Sequence, residues 1–254
     1  MDSFRDLCIK IVQEKKADFE KNKEAIKAKP KKDMLEHLFL SLEENSDETL
    51  TERDIVDEFI TFFLAGMDTT GHLTAMAVHY LTEDPELVTK LRQEISKGYK
   101  DGSNVTIEDL QSMEVMNSFF KEALRYYTPA PGLFPRVAVQ DHYLNDIHVK
   151  KGTLIEVEFM SNNFSEEYFE DPFKFNPYRF MNKTLDDPFA FIPFSSGSRN
   201  CIGQHLANIE SKALLCEFLR RYDFKLKEGY KLKMTLKFLH EPVDPLEFDL
   251  TKRV

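Results

Sequence analysis

The chain has 254 residues, 42% of them hydrophobic and 31% charged, a composition that suits one sizeable core or two small ones and argues against disorder throughout. Its net charge of -10 argues against a nucleic-acid partner, because phosphate binding needs clustered Lys and Arg side chains. Three cysteines, Cys8, Cys201 and Cys216, are too few and too far apart for a disulfide framework. These features indicate a globular protein of an intracellular, reducing compartment.

Helical periodicity dominates the first half of the chain. Pro30 ends the first helix, Thr51 and Asp54 form a predicted capping box, and Asp84 followed by Pro85 starts a further helix. An acidic, polar link is expected over residues 43–50. The predicted helices span residues 4–29, 34–42, 51–81, 85–96 and 106–124.

The second half of the chain mixes strands, loops and one helix. Three prolines and a glycine forbid regular helix over residues 129–135. A long irregular stretch is expected over 161–198, followed by a helix over 203–221. Short strands are predicted over 136–139, 147–150 and 153–159, with two or three more over 231–250. The predicted fold class is therefore mainly α with small β-sheets (α+β).

The strongest chemical signal is the segment from Phe194 to Gly203, Phe-Ser-Ser-Gly-Ser-Arg-Asn-Cys-Ile-Gly. Cys201 follows a glycine-containing loop and precedes a helix, where backbone N–H groups and the helix dipole favour a thiolate. Arg199 adds positive charge nearby. A single thiolate ligand suits a heme iron, because it leaves the opposite face of the iron open. The plainer alternative is a structural, buried cysteine at a helix start.

This segment matches Phe-x-x-Gly-x-Arg-x-Cys-x-Gly at all five fixed positions and resembles the heme-binding signature of the cytochrome P450 family. The resemblance implies that Cys201 is the axial ligand of the heme iron and that Phe194, Gly197, Arg199 and Gly203 shape its loop. It also implies that Arg199 and Arg136 bind heme propionates and that Phe194 limits solvent at the thiolate. The implied fold is the C-terminal portion of the cytochrome P450 fold.

A second motif, Ala65-Gly66-Met67-Asp68-Thr69-Thr70, interrupts an apolar stretch of the long helix. Gly66 is a poor residue for a helix interior, and the carboxylate and hydroxyls are out of place among apolar side chains. By itself the motif is also typical of a kinked helix with a solvated polar turn. The resemblance implies instead that Asp68 and Thr69 help deliver protons during oxygen activation.

Two further motifs, Glu122-Ala-Leu-Arg125 and Phe175-Asn-Pro-Tyr-Arg179-Phe180, come in the family's order. Glu122 and Arg125 alone would most often form a surface ion pair worth a few tenths of a kcal/mol. The resemblance implies a buried triad of Glu122, Arg125 and Arg179. Tyr178 stands where the family more often has Glu or another polar residue.

The resemblance implies a monooxygenase that inserts one atom of dioxygen into a lipophilic organic substrate, with electrons from a reductase. The alternatives are a heme-thiolate isomerase or dehydratase, relatives of which tend to lose the acid and alcohol pair, and an inactive heme-binding fragment. By family position, an apolar substrate pocket is expected to include Thr61, Leu64, Ala65, Ala130, Leu133, Phe134 and residues 238–240.

The resemblance covers nearly the whole chain but only the C-terminal half of a complete family member. Residues 1–254 are thus expected to be one part of a single domain whose N-terminal half is absent. No membrane span is predicted, since charged and apolar residues alternate from Met1 to Phe19. For a full-length parent, the endoplasmic reticulum membrane is the expected location.

Overall fold

The computed structural model describes residues 2–44, 50–99, 105–132, 135–158 and 160–253. Parts of three predictions lie outside these residues: most of the polar link over 43–50, the pocket residues Leu133 and Phe134, and Phe159 at the end of a predicted strand. The chain divides into two compact units after Asp68.

The first unit is helical. It contains α1 (Asp2–Ala28), α2 (Met34–Glu44) and the beginning of α3 (Glu52–Leu81). Its core consists of the buried side chains of Val12, Phe19, Ile26, Leu35, Phe39 and Ile55. These three helices confirm the helical periodicity found in the sequence, and α3 ends at Leu81 as predicted.

Side-chain caps determine where the helices of the first unit begin. Thr51 and Asp54 form the predicted capping box: the Thr51 amide donates to the Asp54 carboxylate at 2.8 Å, and the Asp54 amide donates to the Thr51 hydroxyl at 3.2 Å. Asp33 and Glu36 make the same reciprocal pair at the start of α2, at 2.9 Å in both directions. Each pair satisfies two amides that the helix leaves without an internal acceptor.

The second unit is built around a larger core. Its further helices are α4 (Pro85–Gly98), α5 (Ile107–Ser112), α6 (Glu114–Tyr126), α7 (Met160–Asn163) and α8 (Gln204–Arg221). Helix α4 packs on both α6 and α8. The fully buried side chains of this core include Met76, Leu91, Ile95, Met116, Phe119, Leu215 and Cys216. This core fixes the position of α8, the helix that follows the cysteine loop.

One helix prediction is wrong: the helix expected over 106–124 is two helices, α5 and α6, separated at Met113. Met113 has an extended backbone, with φ -76° and ψ 92°. The cause is a contact from elsewhere in the fold. The carboxylate of Glu94 on α4 accepts from the amides of Val115 and Met116, at 2.9 Å each, and so caps α6.

The strands form four two-stranded antiparallel sheets within the described residues. The pairs are β1 (Arg136–Val137) with β4 (Leu154–Ile155), β2 (His142–Leu144) with β3 (Ile147–Val149), β5 (Tyr222–Leu226) with β8 (Phe248–Lys252), and β6 (Met234–Leu236) with β7 (His240–Pro242). Strands β1, β3 and β4 are shorter than predicted, and β2 and β5 were not predicted. The class, mainly α with small β-sheets, is confirmed.

Candidate functional site

The loop before α8 is closed by backbone hydrogen bonds. The Cys201 amide donates to the Phe194 carbonyl at 2.9 Å, and the Asn200 amide donates to the Gly197 carbonyl at 3.2 Å. Between them, residues Gly197–Arg199 form one turn of 3-10 helix. Phe194 is half-buried and packs against the core of the second unit. The loop is therefore anchored at its first residue and presents its last residue, Cys201, beside α8.

Two residues of this loop have left-handed backbone conformations. Gly197 has φ +81°, a region in which a glycine is not strained but other residues are. Ser195 has φ +64° without being glycine, and its amide donates to the Ile192 carbonyl at 2.8 Å. The left-handed backbone at position 197 explains why the signature has a glycine there. The sequence contains no feature that predicts the left-handed backbone of Ser195.

Gly203 connects Cys201 to α8. It is the N-cap residue of the helix, and its carbonyl accepts from the Ala207 amide at 2.8 Å. A Cβ atom added at Gly203 would lie 3.8 Å from the Cys201 Sγ, which is ordinary van der Waals distance. The thiol thus lies beside the first turn of an 18-residue helix, where the helix dipole is positive.

The surroundings of Cys201 are exposed and largely apolar. Cys201 itself is exposed, Ile202 is 80% exposed and Leu206 is 64% exposed. Arg199, two residues before the thiol, is exposed as well, and so is Arg136 at the start of β1. Neighbouring exposed aliphatic side chains usually mark a surface that a ligand or partner covers. One thiol, apolar side chains and a nearby guanidinium suit a flat apolar cofactor with acidic substituents.

The three cysteines differ sharply in accessibility, which leads to a labelling prediction. Cys8 is 1% exposed and Cys216 is 0% exposed, and burial raises the pKa of the Cys216 thiol to about 12. Because the thiolate is the nucleophile, we expect iodoacetamide at about pH 8 to modify one thiol of the folded chain and three in urea. Mass spectrometry of the labelled peptides identifies the site. Rapid labelling of folded Cys201→Ala protein would contradict the assignment.

The structure brings Glu122, Arg125 and Arg179 together in the interior. Glu122 and Arg125 are 0% exposed, and the Arg179 side chain is 6% exposed. Arg125 donates to both carboxylate oxygens of Glu122 at 2.8 Å, and the Arg179 Nε lies 3.0 Å from Oε2 and 3.2 Å from Oε1. The Asn176 amide also donates to Glu122, at 2.8 Å. One carboxylate thus forms ion pairs with two buried guanidinium groups.

The two arginines fasten the irregular chain segment between Asn163 and Lys174 to α6. Arg125 donates to the carbonyls of Asn163 and Pro172, and Arg179 donates to those of Glu170, Asp171 and Lys174. Backbone carbonyls therefore satisfy most of the donors of both side chains. The triad therefore holds a long loop with little secondary structure of its own in one conformation.

Asp68 and Thr69 lie next to each other on α3. Asp68 is exposed and Thr69 is half-buried. A Cβ atom at Gly66 would meet nothing within 4 Å, so contacts in this chain do not require glycine there. The helix continues through the motif with helical geometry from Glu52 to Leu81, so the motif does not end the helix.

Several residues that support the site carried no clear signal in the sequence. Asn163 is 1% exposed and its side chain donates to the Thr128 hydroxyl at 3.1 Å, next to the Arg125 contacts. Lys90 donates to the Tyr178 hydroxyl at 3.0 Å, which gives the unusual Tyr178 a partner on α4.

Across the described ranges, no group of three or more His, Cys, Asp or Glu side chains is arranged to hold a metal ion. In the same residues no helix is long and apolar enough to cross a bilayer.

Comparison of the sequence with known proteins identifies the family to which the chain is similar. The cytochrome P450 family model matches residues 1–247. A cytokinin hydroxylase of Arabidopsis thaliana is 32% identical over 76% of this chain and 38% of its own length. Cytochrome P450 4c21 of Blattella germanica is 31% identical over 96% of this chain and 50% of its length. Cytochrome P450 3A16 of Mus musculus is 30% identical over 87% of this chain and 44% of its length.

The solved structure of the cytochrome P450DA heme domain shows the same fold. It superimposes with a TM-score of 0.80, covering 100% of this chain and 55% of the solved chain at 22% sequence identity. The chain spans half or less of the length of the curated relatives named above. From the matching family model, the shared fold and the complete cysteine signature, we conclude that this chain belongs to the cytochrome P450 family.

Proposed function

We propose that this chain is the thiolate-bearing part of a heme-thiolate monooxygenase, which inserts one atom of dioxygen into a lipophilic organic substrate with electrons from a reductase. The observation that carries the proposal is the exposed thiol of Cys201 at the end of a closed loop, directly before α8. The family and the fold imply heme as the cofactor. When bound, a heme with a thiolate ligand supplies the activation of dioxygen.

The residues of the loop fit this cofactor. Cys201 offers the single soft sulfur ligand, and the exposed Ile202 and Leu206 offer apolar contact. Arg199 and Arg136 are the proposed partners of the acidic heme substituents, because guanidinium groups bind carboxylates in a bidentate manner. Gly197 permits the left-handed turn, Gly203 starts the helix, and Phe194 anchors the loop on the core of the second unit.

Proton delivery is the proposed task of Asp68 and Thr69. A carboxyl group and a hydroxyl on one helical turn are able to pass a proton, directly or through one water molecule. Their presence favours the monooxygenase over an isomerase or dehydratase, since those reactions need no external protons for oxygen. The triad of Glu122, Arg125 and Arg179 has a positioning role, because it holds the loop region in place rather than touching a substrate.

The proposal includes a substrate class and a location. Ala130 is apolar and Phe238 is 78% exposed, as expected of side chains that face a lipophilic substrate. We propose that residues 1–254 form the C-terminal part of a single domain. For a longer parent protein we propose the endoplasmic reticulum membrane as the location.

The experiment that tests the proposal is the absorption spectrum of the heme-loaded, reduced chain with carbon monoxide. Ligation by Cys201 predicts a Soret band shifted to the red in the manner of a thiolate ligand. Cys201→Ala is expected to abolish that band, whereas the matched variant Cys216→Ala, which removes a buried thiol of the same helix region, is expected to retain it. The same red-shifted band in the Cys201→Ala protein would overturn the proposal.

A further inference from the structure

A half-buried lysine on α8, Lys212, lacks the acidic partner that a lysine removed from water normally has. Its ammonium donates to the side-chain oxygen of Asn117 on α6 at 2.5 Å. The amide nitrogen of Asn117 donates to the Gln111 carbonyl at 2.9 Å, which keeps the oxygen of that amide toward Lys212. The acceptor is therefore neutral, and a poorly solvated ammonium is costly without a countercharge.

The titratable neighbours of Lys212 do not supply that countercharge. Lys121, one helical turn after Asn117 on α6, carries a charge of the same sign. On α8 the neighbour is the thiol of Cys216, which is neutral because burial raises its pKa to about 12. Glu210 is two positions from Lys212, a spacing at which two helical side chains do not face each other. Within the part of the chain that the structure describes, Lys212 forms no ion pair.

This environment favours the uncharged form of the Lys212 amine. Burial, followed by the charge of Lys121, lowers the pKa of Lys212, so more of this side chain is uncharged near neutral pH than of an exposed lysine. The uncharged amine has the free electron pair with which a lysine attacks a carbonyl carbon. Desolvation and an adjacent cation are the two means by which enzymes activate nucleophilic lysines. Because Lys212 is only half-buried, small molecules in the solvent are able to reach it.

We propose that Lys212 is an acylation site of this chain and that its acyl donor is a thioester. An uncharged amine attacks thioesters without a catalyst, whereas ordinary esters and amides resist it at neutral pH. The Nζ electron pair forms a bond to the carbonyl carbon, the C–S bond breaks with its electron pair on sulfur, and one amine proton passes through water to that sulfur. The products are an amide on Lys212 and a free thiol. The amide is neutral, which removes the unpartnered charge from the contact between α6 and α8.

The test is acetylation of the folded chain by acetyl coenzyme A at about pH 7.5, with the rate at each lysine measured by mass spectrometry. We expect Lys212 to be acetylated about fivefold faster than the exposed Lys150, because more of its amine is uncharged. Lys227 is expected to be slower than Lys150, since its hydrogen bond to Glu247 raises its pKa. In urea the three lysines are expected to react at similar rates, because the fold no longer distinguishes them.

Two single variants test the cause of this reactivity. Asn117→Asp supplies the missing carboxylate, so we expect acetylation of Lys212 to become about tenfold slower. Lys121→Gln removes the neighbouring cation from an exposed position and is expected to slow it about twofold. The matched control is Asn145→Asp, which changes the net charge equally at an exposed turn and leaves the rate unchanged. Acetylation of Lys212 no faster than that of Lys150 in the folded wild type would overturn the proposal, as would an unchanged rate in folded Asn117→Asp protein. Neither outcome depends on heme, so failure of the carbon monoxide test leaves this result independent.

Discussion

Glu122→Gln is expected to destabilise the second unit by about 3–5 kcal/mol. The substitution keeps the shape of the side chain and removes its charge, so the guanidinium groups of Arg125 and Arg179 lose the one carboxylate they share. Both arginines are buried, and uncompensated buried charge is among the costliest defects that a single substitution creates. The measurement is the urea midpoint followed by circular dichroism, with the wild type and variant compared at one pH.

The matched control is Glu210→Gln, which removes the same charge from an exposed position on α8. Its free energy of unfolding, obtained from the same urea titration, is expected to stay within about 0.5 kcal/mol of the wild-type value. A second test is the double variant Glu122→Gln/Arg179→Met, which we expect to be less destabilised than the sum of its two single variants, because each removes a charge that the other needs. A Glu122→Gln midpoint equal to that of Glu210→Gln would show that the triad is not a stability element.

The sequence predicted well where signals are local. The capping box at Thr51 and the Asp84–Pro85 start are short motifs whose partners lie within one turn, and the helices α3 and α4 begin where these motifs stand. The Asp84 carboxylate accepts from the Leu87 amide at 2.9 Å, as an N-cap residue does. The apolar periodicity of the following residues predicts that α3 ends at Leu81, and the helix ends there in the structure.

Predictions failed where the determining contact comes from a distant part of the chain. The break between α5 and α6 depends on Glu94, which lies about twenty residues earlier and looks like any exposed helix residue in the sequence. Strand β5 was missed because it follows α8 without a glycine or proline. Instead, the end of α8 is held by Arg92 on α4. Its guanidinium group donates to the carbonyls of Leu219 at 3.0 Å and Tyr222 at 2.7 Å.

In the candidate site, too, the sequence predicts local features and fails to predict contacts between distant parts of the chain. The cysteine signature spans ten residues, so the closed loop and the helix after it follow from local spacing. The contacts among Glu122, Arg125 and Arg179 span 57 positions, and only resemblance to a family made them predictable. The contact of the Lys212 ammonium on α8 with the Asn117 side-chain oxygen on α6 had no signal in the sequence, because it depends on how the two helices pack.

Thr69→Ala is expected to lower the product formed per dioxygen consumed by about 100-fold in the complete, heme-loaded protein supplied with its electron donor. The hydroxyl is the group through which we propose that protons reach the reacting oxygen, and an alanine neither donates nor relays a proton. The measurement is product by mass spectrometry against oxygen uptake. Thr74→Ala is the matched control, since its hydroxyl on the same helix donates to the Thr70 carbonyl at 2.8 Å and serves the backbone.

Asp68→Asn separates the acid from the alcohol. The amide keeps the size of the side chain but removes its ionisable proton, so we expect a slower overall rate, while Thr69→Ala mainly diverts electrons away from product. An isomerase or dehydratase consumes no dioxygen, and its turnover would be indifferent to both changes. An unchanged ratio of product to oxygen in Thr69→Ala would therefore remove the proposed proton-delivery role, and unchanged turnover in both variants without oxygen uptake would favour the isomerase or dehydratase.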